Sequence, residues 1–111
     1  MRRILYFCPD FPQPSGGTKT LYRHAQRLRT LGFDAFIVHQ KHSFALTWHS
    51  YTAPILWLED KPQLHKDDVL VFPEVMLDFV RQTQNFAGQR IVIGPWPHTP
   101  HGARKFGASF W

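Results

Sequence analysis

The chain has 111 residues and a formal net charge of +5, with 43% hydrophobic and 15% aromatic residues. This length fits one domain or part of one, and the apolar content excludes a wholly disordered chain. No apolar run is long enough to cross a bilayer, no secretory signal follows Met1, and the single cysteine, Cys8, excludes an internal disulfide framework. We therefore expect a cytoplasmic protein.

The Lys and Arg residues are scattered along the chain rather than gathered in a stripe with aromatic residues. Nucleic-acid-binding domains usually have such a stripe, so we expect no nucleic-acid partner. A basic surface also suits anionic ligands or the anionic inner face of a membrane, so peripheral membrane association stays open.

Along the chain, short apolar runs typical of strands alternate with segments whose apolar residues recur at helical spacing. An apolar run over 4–8 predicts a buried first strand, and the proline- and glycine-rich stretch 9–17 predicts a loop. A helix should follow, since apolar residues recur at helical spacing at Leu21, Ala25, Leu28 and Leu31. Gly32 should then end this helix.

Further strands are predicted over 33–38, 55–58, 69–72 and 90–93, and a second helix over 74–88. This order predicts a three-layer α/β sandwich with a mainly parallel sheet and right-handed crossovers. Residues 94–111 contain no Leu, Ile, Val or Met and no periodic pattern, so a domain over 1–93 should be followed by an irregular tail. We hypothesise that this tail is the out-of-frame ending of a truncated gene.

Gly16 and Gly17 stand where a strand-to-helix loop would meet its helix. A glycine pair there lets the backbone approach a phosphate or carboxylate at the helix N-terminus, and Lys19 adds a cation. The alternative is a tight turn without a ligand. The stretch is neither a P-loop, because the glycines are adjacent, nor a dinucleotide fingerprint, because the second strand ends without an acid.

Other candidate residues are few. Seven histidines include the pairs His39/His42 and His98/His101, but no carboxylate or thiolate partners converge on them, so we expect surface histidines and no metal site. Cys8 should be a buried apolar residue rather than a nucleophile. Glu74 follows a predicted parallel strand, where open α/β sheets bind ligands; a helix-capping or solvated acid is the alternative.

Two segments resemble retaining glycosyltransferases of family four from bacteria. The first is RILYFCPDFPQPSGG at 3–17 with the helix after it, and the second is DDVLVFPE at 67–74. The resemblance implies the GT-B fold, in which two Rossmann-like domains face each other across a cleft. It also implies that Gly16, Gly17, Thr18 and Lys19 belong to a glycine-rich loop near a sugar-nucleotide diphosphate and an acceptor, with Glu74 as a cleft residue.

The chain would correspond to an incomplete N-terminal domain of such an enzyme. The expected ligands are a nucleotide sugar and a glycan or lipid-linked acceptor, with no other cofactor. Most donor contacts in this family come from a C-terminal domain that this sequence lacks, so we expect no transfer by the chain alone and a complementing C-terminal domain as partner. No catalytic residue is assigned. The alternative function is a small stand-alone α/β binding or assembly domain.

Overall fold

The computed structural model describes residues 2–94 as an α/β fold around a five-stranded parallel sheet. In chain order the elements are β1 (Arg3–Phe7), α1 (Gly16–Thr30), β2 (Asp34–His39), β3 (Ile55–Trp57), β4 (Val69–Pro73), α2 (Leu77–Gln82) and β5 (Gln89–Ile93). Single 3₁₀ turns follow β3 at Leu58–Asp60 and β4 at Glu74–Met76. The strands lie in the order β3-β2-β1-β4-β5, so the predicted parallel α/β fold is confirmed and is Rossmann-like.

The strands form where short apolar runs can be buried on both faces of the sheet. Every residue of β4 is buried, and β4 lies between β1 and β5. Such near-continuous apolar runs are typical of parallel strands covered on both sides. The five predicted strands all exist, with ends within one residue of the predicted ones.

The end of α1 is set by Gly32, as predicted. Gly32 has φ +95°, and its amide donates to Arg29 O while the Phe33 amide donates to Leu28 O. These paired bonds form a Schellman motif, which satisfies carbonyls at the helix end and needs a left-handed residue. Leu31, predicted to lie on the buried face, is 66% exposed because the helix has already ended before it.

The two helices cover opposite faces of the sheet. Leu21, Tyr22 and Ala25 of α1 belong to a core cluster with one set of strand side chains. Val80 of α2 belongs to the cluster on the other face, with residues such as Phe72. Within residues 2–94, each face therefore carries a single α-helix.

The second helix is shorter than predicted. Instead of a helix over 74–88, the chain makes a 3₁₀ turn and then six α-helical residues. The Thr83 amide and hydroxyl both donate to the Phe79 carbonyl, and the Val80 carbonyl, which the next helical amide would need, accepts Arg90 Nη1 at 2.6 Å. Val75 is left exposed rather than buried.

One ion pair fixes the start of the sheet. The Arg3 guanidinium donates from Nε to Asp68 Oδ1 at 3.0 Å and from Nη2 to Oδ2 at 2.7 Å. The buried Asp68 carboxylate also accepts the His65 amide at 2.8 Å. Burial by itself raises the pKa of Asp68, but these hydrogen bonds and the charge of Arg3 outweigh burial and lower it.

On the α1 side, the sheet is only partly covered. A groove of about 650 Å³ lies over β1, β4 and β5 and beside the end of α1. Side chains that line it include Tyr6, Val71, Ile91, Ile93 and Phe33. No helix within residues 2–94 is long and apolar enough to cross a membrane. The predicted tail, apart from Gly94, lies outside the described residues.

Candidate functional site

The site lies at the edge of the sheet where the parallel strands end. From β1, the sheet continues through β2 to β3 on one side and through β4 to β5 on the other. Such a reversal opens a crevice between the two central strands, and open α/β sheets bind their ligands there. The loop 8–15 leaves β1 at this point, and Glu74 follows β4 beside it.

Gly16, Gly17, Thr18 and Lys19 form the first turn of α1 rather than a loop before it, which corrects the predicted loop 9–17. The helix begins there because Ser15 is extended and its carbonyl accepts the first helical hydrogen bond, from the Lys19 amide at 3.1 Å. Among the described residues, no acceptor is bonded to the amides of 16–18, and the first turn contains no acid. The turn therefore presents free N–H donors at the positive end of a 15-residue helix.

Lys19 is directed toward the segment after β2. Its Nζ lies 5.8 Å from the centre of the Tyr51 ring, a cation–π contact. Burial, together with the positive charge of Lys19, lowers the pKa of His49 beside it. Both ring nitrogens of His49 and Nε1 of Trp48 are buried without hydrogen-bond partners among the described residues.

A network of side-chain hydrogen bonds, which the sequence did not predict, fixes the loop after β1. Tyr22 Oη lies 2.6 Å from His39 Nε2, and His39 Nδ1 lies 3.0 Å from Asp10 Oδ1. The Asp10 carboxylate also accepts the amides of Gln40 and Lys41, each at 2.9 Å. Asp10 thus ties the loop to the end of β2, and His39 ties both to α1.

The protonation states of Tyr22, His39 and Asp10 in this hydrogen-bonded network follow from their partners. Since a carboxylate only accepts hydrogen bonds, His39 donates a hydrogen bond from Nδ1 to Asp10. Its Nε2 therefore accepts a hydrogen bond from the Tyr22 hydroxyl group. Burial lowers the pKa of His39 although Asp10 opposes the change, so the imidazole stays neutral. Burial raises the pKa of Tyr22, which keeps the phenol protonated.

The prediction that every histidine lies at the surface is wrong for His39, which is 0% exposed. Ala35, Ile37 and His39 alternate along β2 and are all buried. The period of two could have placed His39 on the covered face with Ala35 and Ile37, which pack in the cluster of α1. Its neighbour in the suggested metal pair, His42, is exposed and contacts Asp60 instead.

Glu74 is buried, with 3% of its surface exposed, so the interpretation as a solvated acid is wrong. Its Oε2 has no hydrogen-bond partner among the described residues. Gly94 follows Ile93, which pairs with Pro73, so Glu74 and Gly94 come next in the same register. A Cβ at position 94 would overlap Oε1 and Cδ of Glu74.

The structure brings 16–19 together in one helical turn, and it places Glu74 at the same edge of the sheet. Within the part of the chain that is described, no hydrogen bond or ion pair joins Glu74 to that turn. Cys8 is buried, and burial raises the pKa of its thiol, which is the state of an unreactive side chain. Residues 2–94 contain no group of three or more metal-ligating side chains; His98 and His101 lie outside them.

In comparisons with protein-family models, curated proteins and solved structures, nothing matched this chain. The geometry above and the resemblance of 3–17 and 67–74 are therefore what points to a function.

Proposed function

We propose that this chain is the N-terminal, acceptor-side domain of a GT-B glycosyltransferase of the family-four type. Such an enzyme transfers a sugar from a nucleotide sugar to a glycan or a lipid-linked acceptor. The observation that supports the proposal best is the first turn of α1, whose unbonded amides lie at the edge of a parallel sheet where the strand order reverses. The resemblance over 3–17 leads to the same turn.

The proposed chemistry is electrostatic. The free amides of 16–18 and the ammonium group of Lys19 supply positive potential, which stabilises the negative charge of a departing diphosphate. A second domain is needed to hold the nucleotide and to exclude water from the cleft. The chain alone is therefore expected to bind the sugar nucleotide without turning it over. A cytoplasmic location at the inner face of the membrane would suit a lipid-linked acceptor.

A thermal-shift titration with UDP-, GDP- and dTDP-sugars tests the proposal. We expect saturable stabilisation by one nucleotide class, about 2.7 kcal/mol at a hundredfold excess over Kd. Lys19→Met should weaken it because the cation is lost, and Gly17→Val should abolish it because a branched side chain crowds the first turn. Circular dichroism checks the fold of the Gly17 variant, since Gly17 is buried.

Lys19 is exposed, so its variant should keep the native stability and serves as the second measurement if the Gly17 variant does not fold. Equal stabilisation of the wild type and of both variants would contradict a phosphate site in this turn. Turnover of any nucleotide sugar by the purified chain would contradict the need for a second domain.

A second candidate function is that of a binding or assembly domain without catalysis. The groove over β4 and β5 favours it, because apolar surface left uncovered on a sheet is typical of partner-binding faces. The same titration separates the candidates: an assembly domain would not be stabilised by any of the sugar nucleotides.

A further inference from the structure

We propose that Glu74 is a sugar-binding residue, whose carboxylate accepts hydrogen bonds from hydroxyl groups of a pyranose at the C-terminal edge of β4. The choice of a sugar rests on the proposed glycosyltransferase function. The position of the carboxylate and its unmet hydrogen-bonding capacity do not rest on that function.

The first observation is that Glu74 is buried without compensation. Charged side chains are almost never fully buried unless they are paired, because removing a charge from water costs free energy. Glu74 is 3% exposed, and within residues 2–94 it has no ion pair and no hydrogen bond to Oε2. Asp68, the other deeply buried acid, is held by Arg3 and by a backbone amide. Of these two acids, Glu74 is thus the one with a buried carboxylate oxygen, Oε2, that has no donor within residues 2–94.

The second observation is the space that Gly94 provides. The carboxylate occupies the volume in which a side chain at 94 would begin. Gly94 itself is exposed, so the carboxylate lies directly beneath a surface position that has no side chain.

The chemistry of the group selects the ligand. A carboxylate accepts hydrogen bonds and donates none, so it fits hydroxyl groups and repels a phosphate. A metal ion would need further ligands, and the described residues hold no cluster of metal-ligating side chains around Glu74. Adjacent sugar hydroxyls can donate to the two carboxylate oxygens together.

A stability measurement separates a binding role from a structural one. If Glu74 binds a ligand rather than stabilising the fold, Glu74→Met removes a buried oxygen that has no donor and keeps an apolar side chain of similar size. The variant should then melt about 5 °C higher than the wild type. If the carboxylate instead stabilises the fold, the variant melts lower, which would overturn the proposal.

The binding measurement uses NMR titration with methyl glycosides of glucose, galactose, mannose and N-acetylglucosamine, and separately with UDP, GDP and dTDP and their sugar derivatives. The wild type should bind one methyl glycoside, and Glu74→Met should bind it at least about tenfold more weakly while binding of the nucleoside diphosphate is unchanged. Gly94→Ala should cause the same loss, because the added methyl group displaces the intact carboxylate.

Glu59→Met is the matched control, because Glu59 is exposed and accepts the His42 amide. It should neither raise the melting temperature nor change glycoside binding. If the wild type binds none of the four glycosides, or if Glu74→Met binds the glycoside as tightly as the wild type, the proposal is overturned. Glycoside binding without binding of UDP, GDP, dTDP or their sugar derivatives would instead contradict the nucleotide-sugar function and leave the Glu74 site standing.

Discussion

Asp10 joins three parts of the chain with one carboxylate. It lies in the loop after β1, accepts two backbone amides that follow β2, and orients His39, which in turn contacts Tyr22 of α1. The loop therefore has a defined path into the first turn of α1, although it contains three prolines and no regular structure. The arrangement of the candidate site depends on this residue without Asp10 itself being placed in the site.

We expect Asp10→Asn to lower the free energy of unfolding by about 1–3 kcal/mol. The amide nitrogen that replaces one carboxylate oxygen must face a backbone or imidazole N–H, which leaves a donor unsatisfied. Urea denaturation measures the change. Asp67→Asn is the control, because Asp67 is exposed and should change stability by less than about 0.5 kcal/mol. Equal effects of the two variants would contradict the role of Asp10.

The sequence predicted the strands better than the contacts between side chains. A short apolar run with two valines, such as 69–72, favours a buried strand, and the glycine at 32 permits the left-handed end of α1. The bond between Asp10 and His39 spans 29 residues and depends on the register of β1 with β2, which no local pattern contains. For the same reason, the sequence could place Glu74 at a strand end but not reveal its burial.

At the scale of elements, the ion pair between Arg3 and Asp68 connects β1 to the turn that begins β4. These strands are neighbours in the sheet although 65 residues separate the paired side chains. The pair is bidentate, and the carboxylate is buried while the guanidinium is partly exposed. Such geometry specifies which strand lies beside β1 as well as adding stability.

The ion pair makes the free energy of unfolding depend on pH in the acid range. The folded-state pKa of Asp68 is lowered, so its contribution is present above the unfolded-state pKa near 3.8 and is lost as pH falls through the folded value. We expect Asp68→Asn to cost about 3 kcal/mol at pH 7, because it leaves Arg3 unpaired. Below pH 4, wild-type stability should fall more steeply than that of the variant.

Urea midpoints at pH 7 and pH 3 measure both effects. Asp34→Asn is the control, since its pair with Arg29 is exposed and should contribute less than about 1 kcal/mol. If the urea midpoints of the wild type and of Asp68→Asn fall equally between pH 7 and pH 3, other groups cause the loss of stability in acid.

At the scale of the whole molecule, the part of the chain that the structure describes places one α-helix on each face of the sheet, which covers the sheet unevenly. Because α1 lies with β1 and β2, the same face over β4 and β5 is left as the apolar groove. In the proposed function, this groove and the edge of β5, which pairs with no strand within residues 2–94 except β4, are surfaces on which a further domain could pack.

The groove should bind an apolar dye in the native state. Phe33 lines it and is half exposed, so Phe33→Ser should reduce the fluorescence of bound anilinonaphthalene sulfonate while changing stability by less than about 0.5 kcal/mol. Phe11→Ser is the matched control, because Phe11 is similarly exposed but does not line the groove. Equal loss of fluorescence in both variants would place the dye elsewhere.

The position of β1 at the centre of the sheet also has a consequence during synthesis. Since β1, α1 and β2 precede β4 in the chain, they leave the ribosome before it, and β2 can pair one edge of β1 soon after it emerges. The other edge must wait for Val69–Val71 of β4. Until then it exposes unpaired amides and carbonyls flanked by apolar side chains, the arrangement that favours aggregation between nascent chains. A chaperone should therefore be needed most between the translation of β2 and that of β4.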